Sequence, residues 1–333
     1  MKALVLDRLA PIEDGPLEYR SFDDPVVGPD EVLLKVSACG VCHSNLHLIE
    51  GDLKVYGMPP ALPIIPGHEV VGVIAGLGQN VKDVKIGQRV GVSVIWKTCG
   101  RCEYCLSGDE NLCPERVVTG EHVDGGYAEY LKAPHDFVYP VPDNISDVDA
   151  ATLFCPGVTA YRAVERADVR PGDSVMVIGI GGVGHFSVQF AKLKGARVTA
   201  VDVSEAQLEL ARELGADWAI LSSEADEFAG SNRPNKVIMH TPAPAAINLA
   251  TRVVKNRGTI LMAVFGQVPV GFGGEVSIVT SMAGTKKDLH AMLKLASEGR
   301  LKVKAKGYPL SEGTEILKRL KAGKIVGRAV LVP

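Results

Sequence analysis

The sequence predicts an α/β protein, with a β-rich first half followed by a parallel, doubly wound sheet. Three observations predict it. Short apolar strands alternate with amphipathic helices from about residue 155 onward, a glycine cluster stands at the first strand-to-helix junction of that alternation, and the residues before it read as strands punctuated by Gly and Pro.

In the first half, Glu31 to Val36 alternates apolar Val32, Leu34 and Val36 with polar neighbours, and Val70 to Ile74 and Arg89 to Val94 are further β-rich runs. In the second half, Ser174 to Ile178 reads as a strand, Val183 to Lys194 as a helix, Arg197 to Val201 as a strand and Glu205 to Leu214 as a helix. That last helix is expected to open on a capping box of Ser204 and Gln207 and to close at Gly215. A further strand runs from Lys236 to Met239, with His240 at its end, Gly271 to Gly274 is a Gly-rich loop, and the tail after about Gly284 returns to mixed helix and strand.

A chain of 333 residues, 46% hydrophobic, is long enough for about two domains with substantial cores. Its formal net charge of −3, with Lys and Arg dispersed, implies no nucleic-acid surface. Lys302, Lys304 and Lys306 alternate along one expected strand face and read as solvated. The amino terminus meets Asp7 too soon for a secretory signal, and no segment is apolar for the length a bilayer requires, so a cytoplasmic protein without a membrane partner is expected.

The run Gly179-Ile-Gly181-Gly182-Val183-Gly184 matches G-x-G-x-x-G directly after a strand and opening a helix, and Asp202 ends the next strand eighteen positions on. Missing β-carbons let the backbone approach a pyrophosphate, which the helix amino terminus favours, while a carboxylate at Asp202 accepts from the adenosine ribose hydroxyls. A tight strand-to-helix turn without a ligand is the alternative for the glycines alone. The complete series points to a Rossmann-type dinucleotide fold, and Asp202 favours NAD over NADP because a 2′-phosphate beside it would be repelled and no Arg follows at Val203 or Ser204.

Four of the seven cysteines, Cys99, Cys102, Cys105 and Cys113, stand within fifteen residues. Thiolates that close repel one another unless a soft tetrahedral cation takes their charge, so a structural zinc is expected. Two disulfides or an iron–sulfur cluster are the alternatives, but nothing marks the chain as secreted and no Pro-flanked cluster spacing occurs. Cys39, Cys42 and Cys155 remain, and with His68 they offer thiolates and an imidazole for a second zinc with an open position; spacing does not choose between Cys39 and Cys42.

Together with Gly40-Val-Cys42-His43-Ser44, Pro66-Gly-His68-Glu69, Gly125-Gly-Tyr-Ala-Glu129, Cys155-Pro-Gly-Val-Thr159-Ala-Tyr161, Gly284-Thr-Lys-Lys-Asp288 and Gly327-Arg328, these motifs run nearly end to end. In them the chain resembles the zinc-dependent medium-chain alcohol dehydrogenases. The resemblance implies a discontinuous GroES-like catalytic domain around a Rossmann domain, with residues 1–155 and 284–333 forming the first, a structural-zinc lobe at about 95–115, residues 156–283 forming the second, and the active site in the cleft between them. It implies two zinc ions per chain: a catalytic one on Cys42, His68 and Cys155, and a structural one on the four clustered cysteines. It further implies that Ser44 takes the alcohol proton and passes it through the nicotinamide ribose to His47, that His43 and Arg328 meet the pyrophosphate, that Thr159 contacts the nicotinamide and that Glu69 lies beside the metal. Its substrates are small alcohols, aldehydes and ketones, and homodimers or homotetramers are its habit.

The position after Ser44 usually carries an Asp that orients the imidazole ligand, and here it is Asn45, whose amide accepts the same hydrogen bond without charge. Trp96, three positions before Cys99, is a candidate wall of the substrate pocket; Cys39 is expected to be an inert packed thiol and His240 a neutral, hydrogen-bonded one. The nearest rival reading is a polyol or aromatic-alcohol (cinnamyl-type) dehydrogenase of the same superfamily, NADP-linked. A non-catalytic nucleotide-binding relic of the fold is the alternative of a different class, against which Cys42, His68, Cys155, Ser44 and His47 argue.

Overall fold

A hairpin of β1 (Lys2–Leu6) and β2 (Leu17–Ser21), in antiparallel register from Lys2↔Ser21 to Leu6↔Leu17, opens the chain. The computed structural model describes residues 1–52, 54, 60–269, 271 and 273–333, so Phe272 of the expected Gly-rich loop lies outside the described residues. The chain divides into two units, Met1–Cys155 with Thr285–Pro333, and Pro156–Gly284.

The spine of the first unit is β3 (Glu31–Gly40), which buries Val32, Leu34 and Val36 as its alternation predicts but runs four residues past Val36. Helix α1 (His43–Glu50) follows, then β4 (Val70–Leu77), antiparallel to β3 with Cys39 opposite Val70. β5 (Arg89–Val92) ends two residues earlier than expected, and β6 (Ile95–Lys97) pairs with β7 (Val117–Val118) around the cysteine lobe, which contains α2 (Glu103–Ser107). β8 (Tyr130–Pro134) pairs with β3 and β9 (Val138–Pro140) with β5, and α3 (Asp147–Ala151) is capped by the Ser146 hydroxyl accepting from Asp149 N. Leu4, Leu6, Ile12, Leu34, Ile65 and Tyr127 belong to the core of this unit.

The second unit alternates α4 (Pro156–Arg166), β10 (Ser174–Ile178), α5 (Gly184–Leu193), β11 (Arg197–Asp202), α6 (Glu205–Glu213) and β12 (Trp218–Leu221). It continues with α7 (Ala225–Ser231), β13 (Lys236–Met239), α8 (Pro244–Val253), β14 (Thr259–Met262) and β15 (Ser277–Thr280). All six strands are parallel, in the order β12-β11-β10-β13-β14-β15, so the winding reverses between β10 and β13. In sheets of this kind the crevice at the carboxyl ends of that strand pair takes the ligand. Met176, Ile178, Val201, Val237 and Met239 pack in the core here.

Three expectations need correction. Ser204 does occupy the N-cap of α6, but its side chain makes no cap bond; its backbone N–H donates instead to Asp202 Oδ1 at 2.9 Å, and Gln207 N–H bonds the Ser204 carbonyl. A full capping box forms elsewhere, where Thr285 and Asp288 open α9 (Lys286–Ser297). Gly284, expected to head the returning segment, groups with the second unit, where an added Cβ would fall on Val158 Cγ2. Lastly, β16 (Ala305–Pro309) begins after Lys302 and Lys304, although all three lysines are exposed; after α10 (Gly313–Lys321) the chain ends in β17 (Arg328–Val332), which is parallel to β16 and antiparallel to β3.

Candidate active site

Three segments of the first unit converge. Cys42 is the N-cap of α1, His68 lies just before β4, and Cys155 follows the short turn after α3. Among the described residues, two groups could hold a metal ion: Cys99, Cys102, Cys105 and Cys113, and Cys42, His68, Glu69 and Cys155, with the ligand atoms of each group within 4.8 Å of one another. Cys42 Sγ and Cys155 Sγ are 3.9 Å apart. Two thiolates sharing a tetrahedral zinc at about 2.3 Å stand about 3.8 Å apart, so the donor set fits that ion. A hydrogen bond donated to Cys42, and after it burial, push the Cys155 thiol up, while Cys155, and after it His68, hold Cys42 far below an ordinary thiol. Cys39 is fully buried, and burial raises its thiol, as an inert packed residue requires.

Asn45 sits against the imidazole. Its Nδ2 is 3.2 Å from His68 Nδ1, and its Oδ1 accepts from the Tyr127 hydroxyl at 3.0 Å, which also reaches the Gly40 carbonyl at 3.4 Å. A ligand imidazole bonded through Nε2 carries its proton on Nδ1 and needs an acceptor there. Turning the Asn45 amide over supplies one: Oδ1 then accepts from Nδ1, Nδ2 donates to Tyr127 Oη, and the hydroxyl keeps Gly40 O. Tyr127 is the residue that sequence reasoning left without a role, although its motif was visible.

Glu69 and Arg328 form a buried pair, with Arg328 Nη2 donating to both carboxylate oxygens at 2.6 and 2.7 Å. Adjacent strands β3, β4 and β17 bring them together. Gly40 must lack a side chain, because a Cβ there would fall on Glu69 Oε2. Burial raises the Glu69 carboxyl to about 7, against the pull of Arg328. Arg328 is therefore engaged with Glu69, and its Nε has no hydrogen-bond partner among the described residues.

Ser44, on the first turn of α1, donates to Cys42 Sγ at 3.1 Å and lies 3.4 Å from His68 Nε2. His47, three residues on, has Nδ1 at 2.8 Å from Asp52 Oδ2, a partner the sequence did not single out. His43 is exposed at the start of the same helix. Trp96 donates from Nε1 to the Lys132 carbonyl and, with Met1, Phe22 and Pro25, lines a cavity of about 230 Å³ to which none of Cys42, His68 and Cys155 contributes. It is thus a wall of a different cavity from the one expected.

In the cysteine lobe, the sulfurs of Cys99 and Cys105 are 3.9 Å apart and those of Cys102 and Cys105 3.5 Å. Backbone N–H groups of Arg101 and Cys102 hold the Cys99 thiol down at about 7, so it is ready to ligate near neutrality.

In the second unit the glycine loop joins β10 to α5. A Cβ at Gly184 would fall on the Gly179 carbonyl, whereas one at Gly181 would meet nothing, which leaves a cradle open above the loop. Asp202 holds the loop from below: Oδ2 accepts from Ile180 N–H at 2.7 Å, and Oδ1 from Ser204 N–H. Gly182 and Val183 complete the loop, and Thr159 lies on α4. His240 Nε2 is 2.7 Å from Ser187 Oγ, its Nδ1 has no hydrogen-bond partner among the described residues, and burial lowers its pKa to about 3, so it is neutral as expected.

A candidate metal site of two thiolates and one imidazole beside a serine, with a switch-point glycine loop in the same chain, is an arrangement that points to the dehydrogenase class. Residues 28–143 match the alcohol dehydrogenase GroES-like domain and residues 182–298 the zinc-binding dehydrogenase domain. An alcohol dehydrogenase of Geobacillus stearothermophilus is 39% identical over 352 residues, covering 99% of this chain and 98% of that protein. The solved structure of an NAD-dependent alcohol dehydrogenase superposes with a TM-score of 0.92 at 31% identity, and that of the alcohol dehydrogenase from the hyperthermophilic archaeon Aeropyrum pernix does equally well, with 100% of each chain covered in both cases. The chain belongs to the medium-chain zinc alcohol dehydrogenase family.

Proposed function

We propose that this alcohol dehydrogenase is NAD-dependent, carries one catalytic and one structural zinc per chain, and interconverts primary or secondary alcohols with their aldehydes or ketones. The observation that carries the reading is the meeting of Cys42, Cys155 and His68 around a point that the Ser44 hydroxyl also faces. Zinc held there supplies Lewis acidity to the substrate oxygen, and NAD bound at the glycine loop accepts the hydride.

The chain's own residues do the rest. Ser44 would take the alcohol proton, and His47, three residues on along the same helix, would release it to solvent. The Asp52 carboxylate fixes the His47 ring through Nδ1 and leaves Nε2 for that exchange. Asp202, already anchored by two backbone N–H groups, retains lone pairs for the ribose hydroxyls and repels a 2′-phosphate. Gly179, Gly181, Gly182, Val183 and Gly184 would lie against the pyrophosphate, with His43 and Arg328 supplying positive charge and Thr159 a contact to the nicotinamide. A cytoplasmic homodimer or homotetramer fits the family's habit; no helix among the described residues is long and apolar enough to cross a membrane.

Initial rates on a panel of alcohols and carbonyls, each with NAD(H) and NADP(H), test the reading. It expects NADH-linked turnover to dominate. Turnover with NADPH far above that with NADH would contradict the role given to Asp202, and no turnover with any pair would contradict the enzyme reading.

A further inference from the structure

Tyr127 grips the His68 segment with its backbone and the Asn45 amide with its side chain. Its N–H donates at 3.0 Å to the carbonyl of Pro66, two residues before His68, and its own carbonyl accepts from Leu4 N–H at 2.9 Å. The ring is wedged against Gly67, where an added Cβ would stand 2.6 Å from Tyr127 Cδ1. Tyr127 is fully buried, and Asn45 and His68 are nearly so, which leaves the three side chains to satisfy one another.

The amide in the middle of this series has two orientations with opposite consequences. With Nδ2 toward His68, 3.2 Å from Nδ1, the amide donates, so the imidazole proton must sit on Nε2, the nitrogen 3.4 Å from Ser44 Oγ. A protonated Nε2 binds no metal. With Oδ1 toward His68, Nδ1 keeps the proton and Nε2 offers its lone pair beside Cys42 and Cys155. A carboxylate at position 45 would accept through either oxygen, whereas an amide must be turned the right way. Tyr127 supplies the bias. Its hydroxyl has one proton, and in the first orientation that proton is shared between Asn45 Oδ1 at 3.0 Å and the Gly40 carbonyl at 3.4 Å. In the second, the hydroxyl oxygen accepts from Nδ2 and the proton goes undivided to Gly40, so one more hydrogen bond is made.

We propose that Tyr127 is a positioning residue for the catalytic zinc, its hydroxyl turning the Asn45 amide to the acceptor orientation and so selecting the His68 tautomer that ligates. The inference rests on the zinc alcohol dehydrogenase reading above. Tyr127 acts only through Asn45, and the chain thereby uses a neutral amide where a carboxylate would need no such guide.

The test is equilibrium competition with a graded chelator in wild type, Tyr127→Phe, Asn45→Asp and the double variant, reading the affinity of the zinc whose removal abolishes turnover. Tyr127→Phe keeps the ring and removes the hydroxyl. It should weaken that zinc by about tenfold, because the ligating orientation loses its advantage of one hydrogen bond, and leave the four-thiolate zinc unchanged. In the Asn45→Asp background the same change should weaken it by no more than about twofold, since both carboxylate oxygens accept; Asn45→Asp therefore rescues Tyr127→Phe. An affinity unmoved in Tyr127→Phe, or an equal loss in both backgrounds, overturns the proposal and leaves the zinc reading intact. Loss of both ions together in Tyr127→Phe, without rescue by Asn45→Asp, overturns it in favour of a packing role. Wild-type protein that turns over with only the four-thiolate zinc bound overturns both.

Discussion

Asn45 is 2% exposed, with its side chain between His68 and Tyr127. An amide in the acceptor orientation polarises a ligand imidazole less than a carboxylate does, so the Cys42–His68–Cys155 ion should be held less tightly than the four-thiolate ion. Asn45→Asp is expected to slow release of that ion to a chelator by about tenfold, measured as zinc freed with time; unchanged release would remove Asn45 from the metal's control. A second residue carries a pH signature. The unfolded His240 imidazole titrates near its ordinary 6.5 while the folded one stays neutral down to about 3, so between those values the unfolded state binds the extra proton. The stability of the folded state is then complete above about pH 6.5 and falls as pH drops, by up to about 1.4 kcal/mol per unit. His240→Gln should flatten that slope in urea midpoints followed from pH 7 to 5, and parallel curves for the two proteins would contradict it.

At the level of elements, the strands were the more legible part. β10 and β13 begin and end where their apolar runs do, because strands buried in a parallel sheet need continuous hydrophobicity bounded by turn residues. The start of α6 was legible and its capping was not: Ser204 and Gln207 have the right spacing, but the Asp202 carboxylate claims the Ser204 N–H first, a competition that spacing does not encode. The four-cysteine cluster was legible because its residue type is rare and its motif local, whereas the grouping of Cys42 with His68 and Cys155 rested on the resemblance, since spacing does not separate Cys42 from Cys39. Tyr127 bonds Asn45 across 82 residues of sequence, a pairing that follows from the folded sheet. The cysteine lobe is a short element, with a five-residue α-helix, one 3-10 turn at Glu110–Leu112 and a two-strand ribbon, so a zinc held by its four cysteines would carry most of its stability. Cys102→Ser should release the structural zinc and lower the melting temperature by several degrees; unchanged zinc content and melting temperature would show that the lobe folds without the ion.

Across the whole molecule, both candidate metal sites lie in one unit and the glycine loop proposed to bind the dinucleotide lies in the other. The four clustered thiolates would enclose a structural ion, while Cys42, His68 and Cys155 would give a catalytic one three ligands, with a neutral amide behind the imidazole and a position left for substrate. Their kinetic behaviour should separate accordingly. The most direct measurement is a timed chelation of the native enzyme in which released zinc and NAD-linked alcohol oxidation are followed on the same samples. Two zinc ions per chain are expected, released in an early and a late step, with activity falling in proportion to the early one while the late one accompanies unfolding. Full activity after the first ion has gone, or oxidation that survives the loss of both, would contradict it.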